Sequence, residues 1–496
     1  MIAKLHGHFW LILLSLALLV GLGALWARSR HGVTASAAAP LTPDSPVVSA
    51  LRKSAKNANL VICITDAARA DHFGCYGYPR QTTPNIDALA RESLKFDEHF
   101  CQFSRTKPST ASLFTGQYPD THLVDKERSY LDNTFTMARG LQAAGLETAL
   151  FSSNPNASPG MGIGLDFQET YDQTQVKPLV TRRWEGLTRP EPLLTLFQTW
   201  LSKHKRSRFF AYVHFDPPHQ PYVQPNAMTA LFKGKTPPNF RPGSYKFPVG
   251  ERKSVLPYAY APVPEWINLY DANLRYGDWA VGELERMLKD AGVFDNTLLI
   301  VTADHGEAFG EHGYFWHERG VYDELVHIPL LIRWPKNGVG HRTIGALTQT
   351  IDLLPTIFDA FNLRYPRDGV QGRSLLPLIA GTTRKINDYA FTRSDGDPPS
   401  YLMRSLDYSL ILYGNGKWRE LYDVKSDPGQ RRDVLDQRPT EVKAMIEGFR
   451  AFARTQRRQP LEFIDPGVKA APAPASPSIK TTADVRKQLR GLGYLK

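Results

Sequence analysis

Three short segments of this chain carry residue types able to do chemistry, and each falls where one kind of local pattern gives way to another. The run Asn59-Leu60-Val61-Ile62-Cys63-Ile64-Thr65 is apolar and β-rich, reads as a buried strand, and delivers Asp66 at its end. A second apolar run, Thr297-Leu298-Leu299-Ile300-Val301-Thr302-Ala303, delivers Asp304 and His305. Between them Thr106-Lys107-Pro108-Ser109 opens a short stretch that closes in Thr115-Gly116. Carboxylates at the C-terminal ends of parallel strands lie at the rim where α/β sheets put their sites. A threonine hydroxyl becomes a nucleophile when a cation lowers its pKa and a fixed geometry aims it. The same residues also have plain structural uses: Thr106 or Ser109 as the N-cap of a helix with Pro108 in its first turn, and Asp-His as a surface turn.

The elements that would hold these groups are legible as a pattern. Phe209 to Phe215 reads as a further strand, followed by the loop Asp216-Pro217-Pro218-His219-Gln220-Pro221. His214 alternates within that strand, which suits a hydrogen-bonded core histidine as well as a ligand contact. Glu265 to Gly292 reads as a helix whose apolar face includes Leu269, Leu274, Trp279, Leu284 and Leu288. Strands alternating with helices call for a mainly parallel sheet with helices on both faces. Tyr389 to Val424 instead breaks into short strands.

Together these motifs resemble the sulfatases, within the alkaline phosphatase superfamily. The turn at Thr106 is similar to that family's nucleophile turn, which reads Cys or Ser, any residue, Pro, Ser, Arg, and then a short apolar helix ending in Thr-Gly. Thr106 stands where the Cys would be, and Thr110 where the Arg would be. The segment from Asp66 to Gly77, continued by Thr83-Pro84-Asn85-Ile86-Asp87-Ala88-Leu89-Ala90, is similar to the family's opening nearly residue for residue. One departure is Ala67, which replaces the second of two adjacent acids. Asp304 and His305 match the family's second pair of metal ligands, with His in place of the Asn common in calcium sulfatases.

The resemblance runs from about Asn59 to Leu435 and implies an alkaline-phosphatase-like α/β fold, a mainly parallel sheet between helix layers with a small antiparallel C-terminal subdomain. It implies one divalent metal ion held by Asp66, Thr106, Asp304 and His305; the imidazole favours Zn or Mn over Ca or Mg. It makes Thr106 the nucleophile and His219 or His317 the group that protonates the departing alcohol, with Arg69, Lys107, His214 and His312 contacting the substrate. His312 has an alternative use in packing under the Gly-rich loop. Sulfatases convert their Cys to formylglycine, whose hydrate attacks sulfur and then releases sulfate by collapsing to the aldehyde, a route closed to threonine. The expected activity is therefore metal-dependent hydrolysis or transfer of a phosphate-type ester. Two alternatives stand beside it: a sulfuric ester hydrolase in the plain family sense, and a silent scaffold used for binding, marked by the losses at Ala67 and Thr110.

Composition agrees with a large folded enzyme: 496 residues, 42% hydrophobic and 22% charged, which excludes a mainly disordered chain. The net charge of +11 suits anionic ester substrates, whether lipid head group, glycan or small molecule, and no nucleic-acid motif accompanies it. Three cysteines, Cys63, Cys75 and Cys101, form neither a metal-like spacing nor a disulfide framework. Phe9 to Trp26 carries no charge and is long enough to span a bilayer, giving an expected membrane anchor or signal over 1–30. The family resemblance sets the catalytic domain outside the cytoplasm, periplasmic or extracellular. A linker over 31–58, a catalytic domain over 59–385, a C-terminal subdomain over 386–465 and a Pro/Ala linker with a terminal helix over 466–496 complete the expected organisation.

Overall fold

Alternation along Leu60-Val61-Ile62-Cys63-Ile64 sends side chains to two different cores. Leu60, Ile62 and Ile64 pack with Phe114, Leu354 and Phe358, whereas Val61 and Cys63 pack with Phe197, Trp200 and Leu284. A strand wholly buried on both faces is what a parallel sheet between two helix layers requires. The computed structural model describes residues 42–125, 129–131, 134–172, 189–238, 262–317, 319–414, 416 and 418–465. Two compact units divide the chain, Met1–Pro40 with Pro366–Asp368, and Leu41–Tyr365 with Gly369–Lys496. Of the first, only Pro366–Asp368 is among the described residues. Every element below belongs to the second.

The main sheet is built from β1 (Asn59–Thr65), β2 (Leu94–Phe100), β3 (Glu147–Ser152), β4 (Glu169–Asp172), β5 (Phe209–Phe215), β6 (Thr297–Thr302), β9 (Leu330–Arg333) and β10 (Arg342–Gln349), with a hairpin of β7 (Ala308–Phe309) and β8 (Phe315–Trp316) apart from it. Its order is β10-β2-β9-β6-β1-β5-β3-β4. Only β9 runs against its neighbours, pairing antiparallel with β2 and β6. The helices Pro190–His204 and Val263–Asp290 cover one face, and Pro46–Ala55, Thr106–Thr115 and Leu353–Ala360 the other. Ser45 starts the first of these by accepting a hydrogen bond from the Val48 N–H, the usual service of an N-cap serine.

A second sheet, β11 (Ala390–Ser394), β12 (Ser400–Arg404), β13 (Tyr408–Tyr413) and β14 (Arg419–Asp423), is antiparallel throughout. Tyr401, Met403, Leu410 and Leu412 on one face of it pack with Phe449 and Phe452 of the helix Pro439–Arg454. This sheet is tied by buried charge to the segment that follows the helix Thr106–Thr115. Arg393 Nη1 lies 2.8 Å from Asp120 Oδ1 and 3.2 Å from Asp125 Oδ2, and Arg458 Nη1 pairs with the same two carboxylates. Burial nevertheless pushes the Asp120 carboxyl up to about 6, against the pull of the two arginines.

One group of expectations is corrected here. Crossing a bilayer takes about 20 consecutive, mainly apolar helical residues, and among the described residues no helix is long and apolar enough. The longest, Val263–Asp290, carries Glu265, Asp271, Arg275, Asp278 and Arg286 along its length. Phe9 to Trp26 lies outside the described residues. No described helix therefore supports the expected membrane partner, the transmembrane helix or the anchored placement outside the cytoplasm.

Candidate active site

The C-terminal ends of three adjacent parallel strands, β6, β1 and β5, converge on one buried cluster. Asp66 follows β1, Asp304 and His305 follow β6, and His214 lies near the end of β5 in register with Ile64. Thr106 enters from a different element, as the first residue of the helix Thr106–Thr115, all ten of whose residues are buried. Arg105 precedes it in extended conformation, and Gly116 closes the helix at φ +65°, where its N–H reaches the Ser112 carbonyl. Ser109 Oγ donates to the Asp304 carbonyl at 2.6 Å, locking this turn to the end of β6.

Hydrogen bonds to the backbone aim each donor atom. Asp304 Oδ1 accepts from the N–H groups of Ala67 and His305, at 3.1 and 3.0 Å, which leaves Oδ2 facing inward without a hydrogen bond. Asp66 Oδ2 accepts from Asn154 Nδ2 at 2.5 Å and lies 2.8 Å from His214 Nε2; its Oδ1 has no partner. His305 Nδ1 donates to the Gly306 carbonyl at 2.8 Å, which leaves the Nε2 lone pair directed into the cluster. That Nε2 stands 3.2 Å from Thr106 Oγ1, 3.6 Å from Asp66 Oδ1 and 3.5 Å from Asp304 Oδ2.

A buried carboxylate oxygen with no hydrogen bond is costly unless a cation meets it. Two such oxygens, a hydroxyl and an imidazole nitrogen facing the same space are a donor set that fits a divalent ion. Asp66, His214 and Asp304 offer ligand atoms within 4.8 Å of one another. Of the sequence-derived set, Asp66, Thr106, Asp304 and His305 are thus brought together, with His214 added.

Next to this cluster His219 and His317 face each other, Nε2 to Nε2, at 3.3 Å. His317 Nδ1 lies 3.1 Å from Glu307 Oε1, and its ring centroid is 4.4 Å from that of His305. Lys107 is buried immediately after Thr106. Two other sequence candidates point elsewhere. Arg69 is engaged by Asp71 and by Glu311 Oε1 at 2.6 Å. His312 uses both ring nitrogens, one on Glu324 and one on the Gln430 carbonyl.

Charge in the cluster is finely opposed. Burial pushes the Asp66 carboxyl up, and His219, His214 and His305 outweigh it, holding the group below the usual carboxylate range. His214 loses by burial but gains more from its hydrogen bond to Asp66, so its pKa is raised. Burial lowers His219 despite Asp66 nearby. Burial raises Glu307 to about 7 and, reinforced by Asp66 and Asp304, lifts Asp216 well above its ordinary value. Asp216, Glu307 and Asn154 were not singled out from sequence. Asp216 opens the loop that carries His219, and Glu307 follows His305 by two positions, so their signal was adjacency to the expected site.

A strand-end cluster of acids and histidines of this kind on a mainly parallel sheet, with a small antiparallel sheet appended, defines the alkaline-phosphatase-like class. Within it, the Sulfatase family matches residues 58–363 and the C-terminal region of N-sulphoglucosamine sulphohydrolase matches residues 310–451. The chain belongs to the sulfatase family, whose members are metal-dependent hydrolases. It is 23% identical to the N-acetylglucosamine-6-O-sulfatase of Bacteroides thetaiotaomicron over 82% of this chain and 88% of that one. It is 28% identical to the human N-sulphoglucosamine sulphohydrolase over 68% of each. In fold it is similar to the phosphonate monoester hydrolase of Agrobacterium radiobacter, with a TM-score of 0.69, 22% identity and coverage of 80% of this chain and 95% of that one.

Proposed function

We propose that this chain cleaves a phosphate-type monoester or diester, or transfers its phosphoryl group, through a covalent intermediate on Thr106. The observation that carries the reading is Thr106 Oγ1 at the start of a buried helix, 3.2 Å from His305 Nε2 and beside two unpartnered carboxylate oxygens. A divalent ion held by Asp66, Asp304 and His305 supplies charge neutralisation at the hydroxyl and at the substrate oxyanion when bound. Thr106 Oγ, its hydroxyl proton first released to solvent, forms a bond to phosphorus in line with the departing oxygen, while the P–O bond to the alcohol breaks. The N-terminal N–H groups of the helix Thr106–Thr115 favour the anionic group placed against them. His219 or His317, facing each other across 3.3 Å, delivers a proton to the leaving alkoxide. Water or an acceptor alcohol, deprotonated by the same pair, then attacks phosphorus and frees Thr106 with its electron pair.

Threonine carries no route to formylglycine, so a sulfated Thr106 would lack the aldehyde collapse that releases sulfate. The same fold is found in phosphonate monoester hydrolases. The sulfuric ester reading keeps its own support, since the curated relatives are named as sulfatases. The test is the ratio of aryl phosphate and phosphonate turnover to aryl sulfate turnover in wild-type protein, with Thr106→Ala alongside. Phosphoester turnover well above sulfate turnover, its loss in Thr106→Ala, and phosphate on the Thr106 peptide of stalled enzyme are expected. Sulfate turnover exceeding phosphate turnover, or wild-type rates in Thr106→Ala, would overturn the reading.

A further inference from the structure

The end of β1 offers one acid where the family resemblance calls for two. Ala67 occupies the second position at φ +58°, its methyl group wholly buried and its N–H spent on Asp304 Oδ1. A cluster already short of one carboxylate would be left with fewer donors, unless another element brings one in.

The neighbouring strand does so. β5 pairs with β1, and the register Ile64↔His214 sets His214 one strand away from the Asp66 end. His214 is wholly buried; period-two alternation puts it on the face that carries Phe210 and Tyr212, both in the core with Ile62 and Ile64. A charged or polar ring on such a face is costly without partners, and His214 has one for each nitrogen. Nδ1 is 2.8 Å from the Tyr212 hydroxyl, while Nε2 is 2.8 Å from Asp66 Oδ2 and 4.0 Å from Asp304 Oδ2. Metal-ligating histidines show this arrangement: one nitrogen held from behind, the other aimed at the ion.

Tyr212 is itself fixed. It is wholly buried, its ring is edge-on to Phe114 at 4.8 Å, and the side chain of Thr110 lies against its hydroxyl. Thr110 stands where the family's nucleophile turn has Arg, beside a phenol that backs an imidazole.

We propose that His214 is a metal ligand, supplied by β5 in place of the carboxylate missing at Ala67, and that Tyr212 is the positioning residue that aims its Nε2. The proposal rests on the metal-dependent reading of the site. It makes the centre one of Asp66, His214, Asp304 and His305 with the Thr106 hydroxyl, a nitrogen-richer set than two adjacent acids would give, and a set that selects Zn or Mn over Ca.

The test is metal binding by the full chain, stripped of metal and titrated calorimetrically with Zn²⁺ and Mn²⁺, together with the absorption spectrum of the Co²⁺-loaded protein. His214→Ala is expected to lose about 100-fold in affinity and to shift the Co²⁺ bands, and Tyr212→Phe to lose roughly tenfold, the range seen when the support of a ligand is removed. Ala67→Asp in the His214→Ala background is expected to recover affinity, because aspartate tolerates the left-handed conformation at that position. His214→Gln carries the same comparison should the alanine variant fail to fold. Wild-type affinity and an unshifted Co²⁺ spectrum in His214→Ala, alongside metal loss in Asp66→Asn, would overturn the role of His214 and leave the metal reading standing. Unchanged affinity in Asp66→Asn and Asp304→Asn would overturn both.

Discussion

Replacing His312 by glutamine should remove a defined share of the pH dependence of stability. The ring sits between two parts of the chain: Nδ1 is 2.7 Å from Glu324 Oε1, Nε2 is 2.8 Å from the Gln430 carbonyl, and the ring stacks on Tyr322 at 3.6 Å with planes 2° apart. With an acceptor at each nitrogen, the doubly protonated form donates twice. Burial works against that charge, but Glu324 and the Gln430 carbonyl outweigh it and raise the pKa from 6.5 to about 9. At 1.4 kcal/mol per tenfold, that rise corresponds to about 3 kcal/mol of linkage. Because the folded value is raised, the stabilisation is complete below pH 6.5, declines above it, and is lost as pH passes through about 9. Urea unfolding of wild type and His312→Gln at pH 6, 7.5 and 9.5 reads the difference directly. The gap between the two proteins should be largest at pH 6 and shrink by about 3 kcal/mol toward pH 9.5. A gap that stays constant, or widens with pH, would refute the assignment of the charged form.

Three further outcomes are expected. Asp304→Asn keeps the oxygen that accepts the Ala67 and His305 N–H groups but exchanges the charged, unpartnered one for an amide, so metal content by elemental analysis should fall; wild-type content in a variant lacking both Asp66 and Asp304 would remove the site. Gly306→Ala places a methyl 2.1 Å from the Glu324 carbonyl oxygen, a backbone atom that cannot step aside, and should cost roughly 1–3 kcal/mol while depressing kcat through the adjoining His305. Retained melting temperature and rate would contradict that clash. Trp200→Ala empties a space walled by Phe151, Phe197 and Phe209 and should cost about 3–5 kcal/mol by denaturant titration, with a loss under about 1 kcal/mol counting against the packing described.

Much of the site was legible because its residues stand where apolar runs end. Asp66 follows β1 at once, Asp304 and His305 follow β6 after a single alanine, and Thr106 opens a helix whose closing Gly116 was visible in the sequence. The helix read from Glu265 to Gly292 is found at Val263–Asp290. Direction was not legible: Leu330-Leu331-Ile332 is as apolar as a parallel strand, and only its pairings make β9 antiparallel. Long-range partners were also hidden. Nothing local to His214 reveals that Asp66, 148 positions earlier, meets its Nε2, nor does anything near Arg69 announce Glu311. Hydropathy alone carried the membrane expectation, and it concerned a segment outside the described residues.

The charged lock formed by Asp120 and Asp125 with Arg393 and Arg458 bears on how such a protein can be divided by recombination. Asp120 and Asp125 belong to the segment just after the nucleophile turn, whereas both arginines come from the last hundred residues described. A fragment ending near residue 385 would keep two nearly buried acids and discard both arginines paired with them among the described residues, a loss of about 3–5 kcal/mol for a single broken buried pair. The later sheet is therefore no interchangeable cassette: swapping it between relatives carries the condition that the incoming piece present two arginines in the same positions, which couples the histories of two stretches of chain more than 260 positions apart.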